Sequence, residues 1–147
     1  MCTVSLRIEK DRDGNRLDKV RVVPFGLPIT DSSKVQLRLL QAQRAILNPT
    51  MAPESFLQVM DAATKAENGD GEDVKAVNEV QFSENVICID VKGKNVRDLA
   101  VVDLPGLIAN VGENEDERNI ELIKNLAKKE IAKENCIILL CITMNGE

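Results

Sequence analysis

The strongest constraint on the fold lies in the second half of the chain, where four kinds of segment follow one another. Leu99-Ala100-Val101-Val102 is a short apolar run. Asp103-Leu104-Pro105-Gly106 follows it and leads into a polar, acidic stretch ending at Glu117. Ile120, Ile123, Leu126, Ala127 and Ile131 then recur at helical spacing, and Cys136 to Ile142 is apolar throughout. Strand, loop, helix and strand in this order describe a βαβ crossover, which joins parallel neighbours and lays a helix on the sheet. The helix is acidic before its start and carries Lys124, Lys128, Lys129 and Lys133 toward its end, the charge order that complements its dipole. The expected class is therefore α/β, with a mixed, mostly parallel sheet and flanking helices. A length of 147 residues suffices for one such domain and not for two.

The first half is less specific. Cys2, Val4, Leu6 and Ile8 alternate with Thr3, Ser5, Arg7 and Glu9, the pattern of a half-buried strand. Asp13-Gly14 then turns the chain toward Val20, Val22 and Val23, which predicts a hairpin with a polar loop. Asp31-Ser32-Ser33 supplies N-cap candidates, Ser33 with Gln36 fits a capping box, and Val35, Leu39, Ala42 and Ile46 then recur at helical spacing until Asn48-Pro49 ends that helix. A shorter helix from Pro53 would place Phe56, Met60 and Ala63 on one face. The acidic stretch Glu67 to Asp73 reads as a solvated loop, because its carboxylates are out of register with a calcium-binding loop. Val86-Ile87-Cys88-Ile89 and Leu99 to Val102, joined through Lys92-Gly93-Lys94-Asn95, read as a second hairpin of buried strands.

Composition removes several function classes. Three Phe, no Trp and no Tyr leave no platform for stacked bases, and a net charge of -5 disfavours phosphate-backbone binding, so no nucleic-acid partner is expected. With no histidine, Ser-His-Asp and Cys-His catalysis and imidazole zinc sites are excluded. Cys2, Cys88, Cys136 and Cys141 form no CxxC unit, and three of them lie in Ile/Val/Leu runs, so reduced, buried thiols are expected rather than a disulfide or metal set. That usage suits a cytosolic compartment. The apolar run from Cys136 to Met144 is far short of the roughly 20 residues that cross a bilayer. The alternating N-terminus does not read as a signal peptide.

One motif carries chemistry. Asp103 and Gly106 form a D-x-x-G at the end of the expected strand, and the carboxyl ends of strands are where open α/β sheets bind ligands. An Asp there can hold Mg²⁺ through water, and a Gly lets its backbone N–H approach a terminal phosphate. The same four residues also fit a plain strand-terminal turn with an Asx-type bond. By themselves they do not decide between the two.

The surrounding residues add a resemblance. Leu99-Ala100-Val101-Val102 followed by Asp103-Leu104-Pro105-Gly106-Leu107-Ile108 resembles the switch-II segment of dynamin-superfamily large GTPases. Lys133-Glu134-Asn135-Cys136-Ile137-Ile138-Leu139 is similar to the family's passage from helix to next strand, and Phe82 to Val91 to the strand ahead of switch II in fungal dynamin-like proteins. The likeness runs from Phe82 to Glu147 and is thin before that. It implies a P-loop-type GTPase domain using GTP and Mg²⁺, in which Asp103 orients the Mg²⁺ shell, Asp103, Leu104, Pro105 and Gly106 form the nucleotide-contacting loop, and Leu107 to Glu117 form the switch. No catalytic side chain is assigned.

The departures from the family pattern shape this expectation. No GxxxxGK[ST] occurs in the 147 residues, and the chain stops at Met144-Asn145-Gly146-Glu147 where the guanine-reading TKxD should follow. Thr3, on the polar face of its strand, is not assigned the switch-I role. Residues 1–147 therefore read as a partial dynamin-type GTPase domain that alone neither binds GTP tightly nor hydrolyses it. The alternative is a non-enzymatic interaction module or degenerate paralogue with a GTPase-like fold. For an intact parent the resemblance implies self-assembly through GTPase domains, membrane remodelling or fission, a cytoplasmic location peripheral to membranes, and membrane contact through regions outside these residues.

Overall fold

The computed structural model describes residues 1–58, 78–107 and 118–141. The chain divides into two compact units, Met1–Ala100 and Val101–Glu147, each described by itself. Expectations for Met60, Ala63, the Glu67–Asp73 loop, residues 108–117 and the chain from Ile142 onward lie outside the described residues.

The first unit is built on strand β1 (Cys2–Lys10), which lies between β2 (Arg16–Pro24) and β3 (Val86–Val91) in a three-stranded sheet of order β2-β1-β3. Both pairings are antiparallel. The alternation expected of β1 is present through Leu6, since Cys2, Val4 and Leu6 are buried while Thr3 and Ser5 are partly exposed. A register shift between Ile8 and Lys10 then breaks it. Such a bulge turns the next side chain to the opposite face. Glu9, expected outside, is buried at 3% exposure and pairs with Arg7 at 2.9 Å. Asn85 fills the irregular backbone: its Oδ1 accepts the N–H groups of Glu9 at 2.8 Å and Lys10 at 3.0 Å, and its Nδ2 donates to the Lys10 carbonyl.

The β1–β2 hairpin turns through a polar loop, as expected. Asp11 organises it by accepting from the backbone N–H groups of Asp13 and Asn15 at 2.9 and 2.8 Å, an Asx-type arrangement. Gly14 takes the left-handed φ of 81° that this loop requires.

Helix α1 (Val35–Leu47) is entered through a short 3₁₀ turn over Ser32–Lys34. Of the N-cap candidates Asp31-Ser32-Ser33, Asp31 is the one used, its carboxylate accepting both the backbone N–H of Ser33 and its hydroxyl, and the Ser33–Gln36 box is not formed. Aspartate caps as well as serine, and it stands at the position where the turn begins. Helix α1 buries Gln41, Ala42, Ala45 and Ile46 and packs against β1, β3 and the turn at Pro53–Gln58, where Gln41 Nε2 donates to the Leu57 carbonyl at 3.2 Å. The core contains Val4, Leu6, Phe25, Ile29, Ala42, Ile46 and Phe56, the last from a 3₁₀ turn at Pro53–Gln58 where a helix was expected. At the far end of α1, Asn48 Nδ2 donates to the Arg44 carbonyl at 2.7 Å while its Oδ1 accepts from Glu79 N–H.

Gly26 joins the sheet to the connection that leads to α1. It has φ of 74°, and a Cβ placed there would stand 1.7 Å from Arg38 Nη1. That nitrogen donates to the carbonyls of Phe25 at 2.9 Å and Leu27 at 3.4 Å. Gly26→Ala therefore adds left-handed strain and displaces Arg38, an expected loss of about 2 kcal/mol or more by chemical denaturation. Gly14→Ala meets no atom within 4 Å, so its loss is expected to be about 1 kcal/mol, from conformation alone. Equal losses for the two would remove Arg38 from the account.

Hydrogen bonds hold two carboxyls below their ordinary value of 3.8: those from Asn15 first on Asp11, and those from the Ser33 hydroxyl and backbone on Asp31. A lowered folded pKa gives stability that is complete above the unfolded value and is lost as pH falls through the folded one. Below about pH 4 the thermal midpoint is thus expected to fall, and less steeply in the double variant Asp11→Asn, Asp31→Asn. Parallel profiles for the two proteins would count against these carboxylates as acid-sensitive groups.

Three expectations of strand pairing are corrected. Val86–Val91 pairs with β1 and not with Leu99–Val102. Leu99–Val102 and residues 136–141 are not strands, and no parallel pair occurs among the described residues. A buried parallel strand needs neighbours for its ladder and cover on its faces. Here Leu99 is 81% exposed, Val101 76% and Leu139 87%. Among the described residues the sheet is small and antiparallel, and a mostly parallel arrangement is not formed.

In the second unit the expected helix is present as α2 (Arg118–Ile131). Ile123 is buried on its apolar face, and Lys128 and Lys129 occupy its last turn. Lys133 pairs with Glu130, and the chain leaves through Asn135 at a positive φ of 60°, a conformation that asparagine tolerates.

Candidate functional site

The candidate site belongs to the second unit, where residues 101–107 run as irregular backbone. Asp103, Pro105 and Gly106 are exposed, and Leu104 is partly buried. The local sequence accounts for this path. Pro105 has no N–H to give to a ladder, and it disfavours helical backbone at the residue before it. A chain entering such a loop leaves its polar groups to solvent or to a ligand.

Gly106 has no positive φ, and a Cβ placed on it would meet no heavy atom within 4 Å. Packing within the described residues therefore gives no reason for glycine here. Asp103 offers the hard oxygen donors that Mg²⁺ takes, in an exposed setting that admits binding through water. The residues fit the group in this limited sense, for one carboxylate and one unhindered backbone N–H are present. Groups of three or more potential ligand side chains do not occur among the described residues. The switch-like segment expected after Leu107 lies outside them.

The cysteine expectation holds in part. All four thiols are free. Cys2 is buried and Cys88 partly so, but Cys136 and Cys141 are exposed, because the run that carries them is not covered as a strand would be. Glu9 is the buried carboxylate that the alternation missed. Its pairing with Arg7 and its place at the bulge give it a structural role. A shallow cleft of about 390 Å³ in the first unit, bordered by Ile89, Val91, Val96 and Leu99, does not include Asp103. No helix among the described residues is long and apolar enough to cross a membrane.

An interferon-induced GTP-binding protein Mx from Dicentrarchus labrax is 23% identical over 145 residues, covering 98% of this chain and 18% of that protein. Interferon-induced GTP-binding protein Mx1 of Ovis aries is 27% identical over 146 residues, again 98% of this chain and 18% of the relative. Mx2 of Ictalurus punctatus, also an interferon-induced GTP-binding protein, is 34% identical over 76 residues, 48% of this chain and 12% of its own length. The chain thus spans about 18% of the first two relatives. No solved structure matches it significantly. The sequence model of the dynamin family matches residues 15–146, leaving out only the first fourteen residues and the last, and this chain belongs to that family.

Proposed function

We propose that this chain is part of a GTPase domain of the dynamin type, and that Asp103, Leu104, Pro105 and Gly106 are its switch-II nucleotide loop. The observation that carries the reading is the family match across residues 15–146, which takes in D-L-P-G as an exposed loop whose glycine has no packing role among the described residues. The relatives described as GTP-binding support GTP as the ligand class.

In this reading the Asp103 carboxylate orients the hydration shell of Mg²⁺, and the Gly106 N–H approaches the terminal phosphate because no side chain stands in the way. Leu104 and Pro105 set the path between them. When bound, Mg²⁺ supplies neutralisation of charge on the phosphate oxygens. Leu99–Val102 and Cys136–Ile142 would then take places in the mostly parallel sheet of the family's P-loop GTPase fold. Neighbouring strands would cover the apolar side chains exposed in these units. Location in the cytoplasm at membrane surfaces, membrane remodelling and self-assembly through GTPase domains belong to the same proposal for a longer parent.

The 147 residues alone are proposed to be inactive. Phosphoryl transfer depends on positioning and electrostatics, and no GxxxxGK[ST] cradle occurs in this sequence. A fluorescent GTP analogue titrated with the purified chain in Mg²⁺ is expected to show no saturable binding in the micromolar range. Micromolar binding abolished by Asp103→Ala would confirm the loop and overturn the inactivity. Micromolar binding indifferent to Asp103→Ala would count against both statements.

A further inference from the structure

We draw no further inference here: the strongest candidate, the partly uncovered apolar strip formed by Ile89, Val91, Val96 and Leu99 at the outer strand of the first unit, carries nothing because nothing in the structure shows what covers it.

Discussion

Leu6→Ala is expected to lower the stability of the first unit by about 3 kcal/mol, seen as a fall in the urea midpoint with little change in slope. Leu6 is 1% exposed and lies on the middle strand, where its backbone faces Val23 on β2 and Ile87 on β3. Truncation removes buried apolar surface and leaves a cavity that strands held on both sides cannot readily close. Among the described residues the core around it has few large side chains, Phe25 and Phe56 being its aromatics. A loss of that size is a large share of the roughly 5–15 kcal/mol by which domains of this kind are stable. Val22→Ala is the control, because Val22 is 62% exposed on β2 and is expected to move stability by no more than about 0.5 kcal/mol. If the two variants unfolded at the same urea concentration, Leu6 would not be at the centre of this core.

What could be read from the sequence followed how local each feature is. The helix at 118–131 was legible because its apolar spacing and lysine-rich end are both contained within the helix. The hairpin after Lys10 was legible because Asp11, Asp13 and Gly14 bring their own turn chemistry. The bulge near Glu9 was not, since it depends on Asn85, which reaches the strand from 76 residues away. A β-branched run likewise shows that a strand is possible and leaves its partner open, which is why Val86–Ile89 reads as the partner of Leu99–Val102 while the strand that contains it is held by β1. The two exposed apolar runs show the other side of this. Their composition suits buried parallel strands, but strand formation is decided by neighbours, and the described residues supply none. The candidate site was legible as a position, because Pro105 and Gly106 mark a loop after an apolar run. Its ligand was not, because one carboxylate and one glycine become specific only within the pattern of the surrounding segments.

In a chimera in which residues 15–146 of this chain replace the matching stretch of an Mx relative, Asp103→Ala is expected to reduce GTP turnover about 100-fold. The size follows from the task proposed for the carboxylate. In that proposal it holds the ion's hydration shell in place, and losing one preorganised group at a phosphoryl centre typically costs two to three powers of ten in rate. Asp103 is exposed, so its removal should leave the fold intact. Gly106→Ala separates chemistry from folding more sharply. Its Cβ position is open and its backbone is not in the left-handed region, so the denaturation midpoint is expected to stay within about 0.5 kcal/mol of the parent chimera. Turnover is nevertheless expected to fall by a comparable factor, because the new methyl group would stand where the terminal phosphate approaches the backbone N–H. A plain strand-terminal turn predicts the reverse pattern, with turnover unaffected by either substitution. A folded chimera that hydrolyses GTP equally well with and without these two residues would end the assignment of D-L-P-G as a nucleotide loop. Retained turnover in the parent chimera, lost in both variants at unchanged stability, would support Asp103 as the group that holds the Mg²⁺ shell and Gly106 as the one that meets the terminal phosphate.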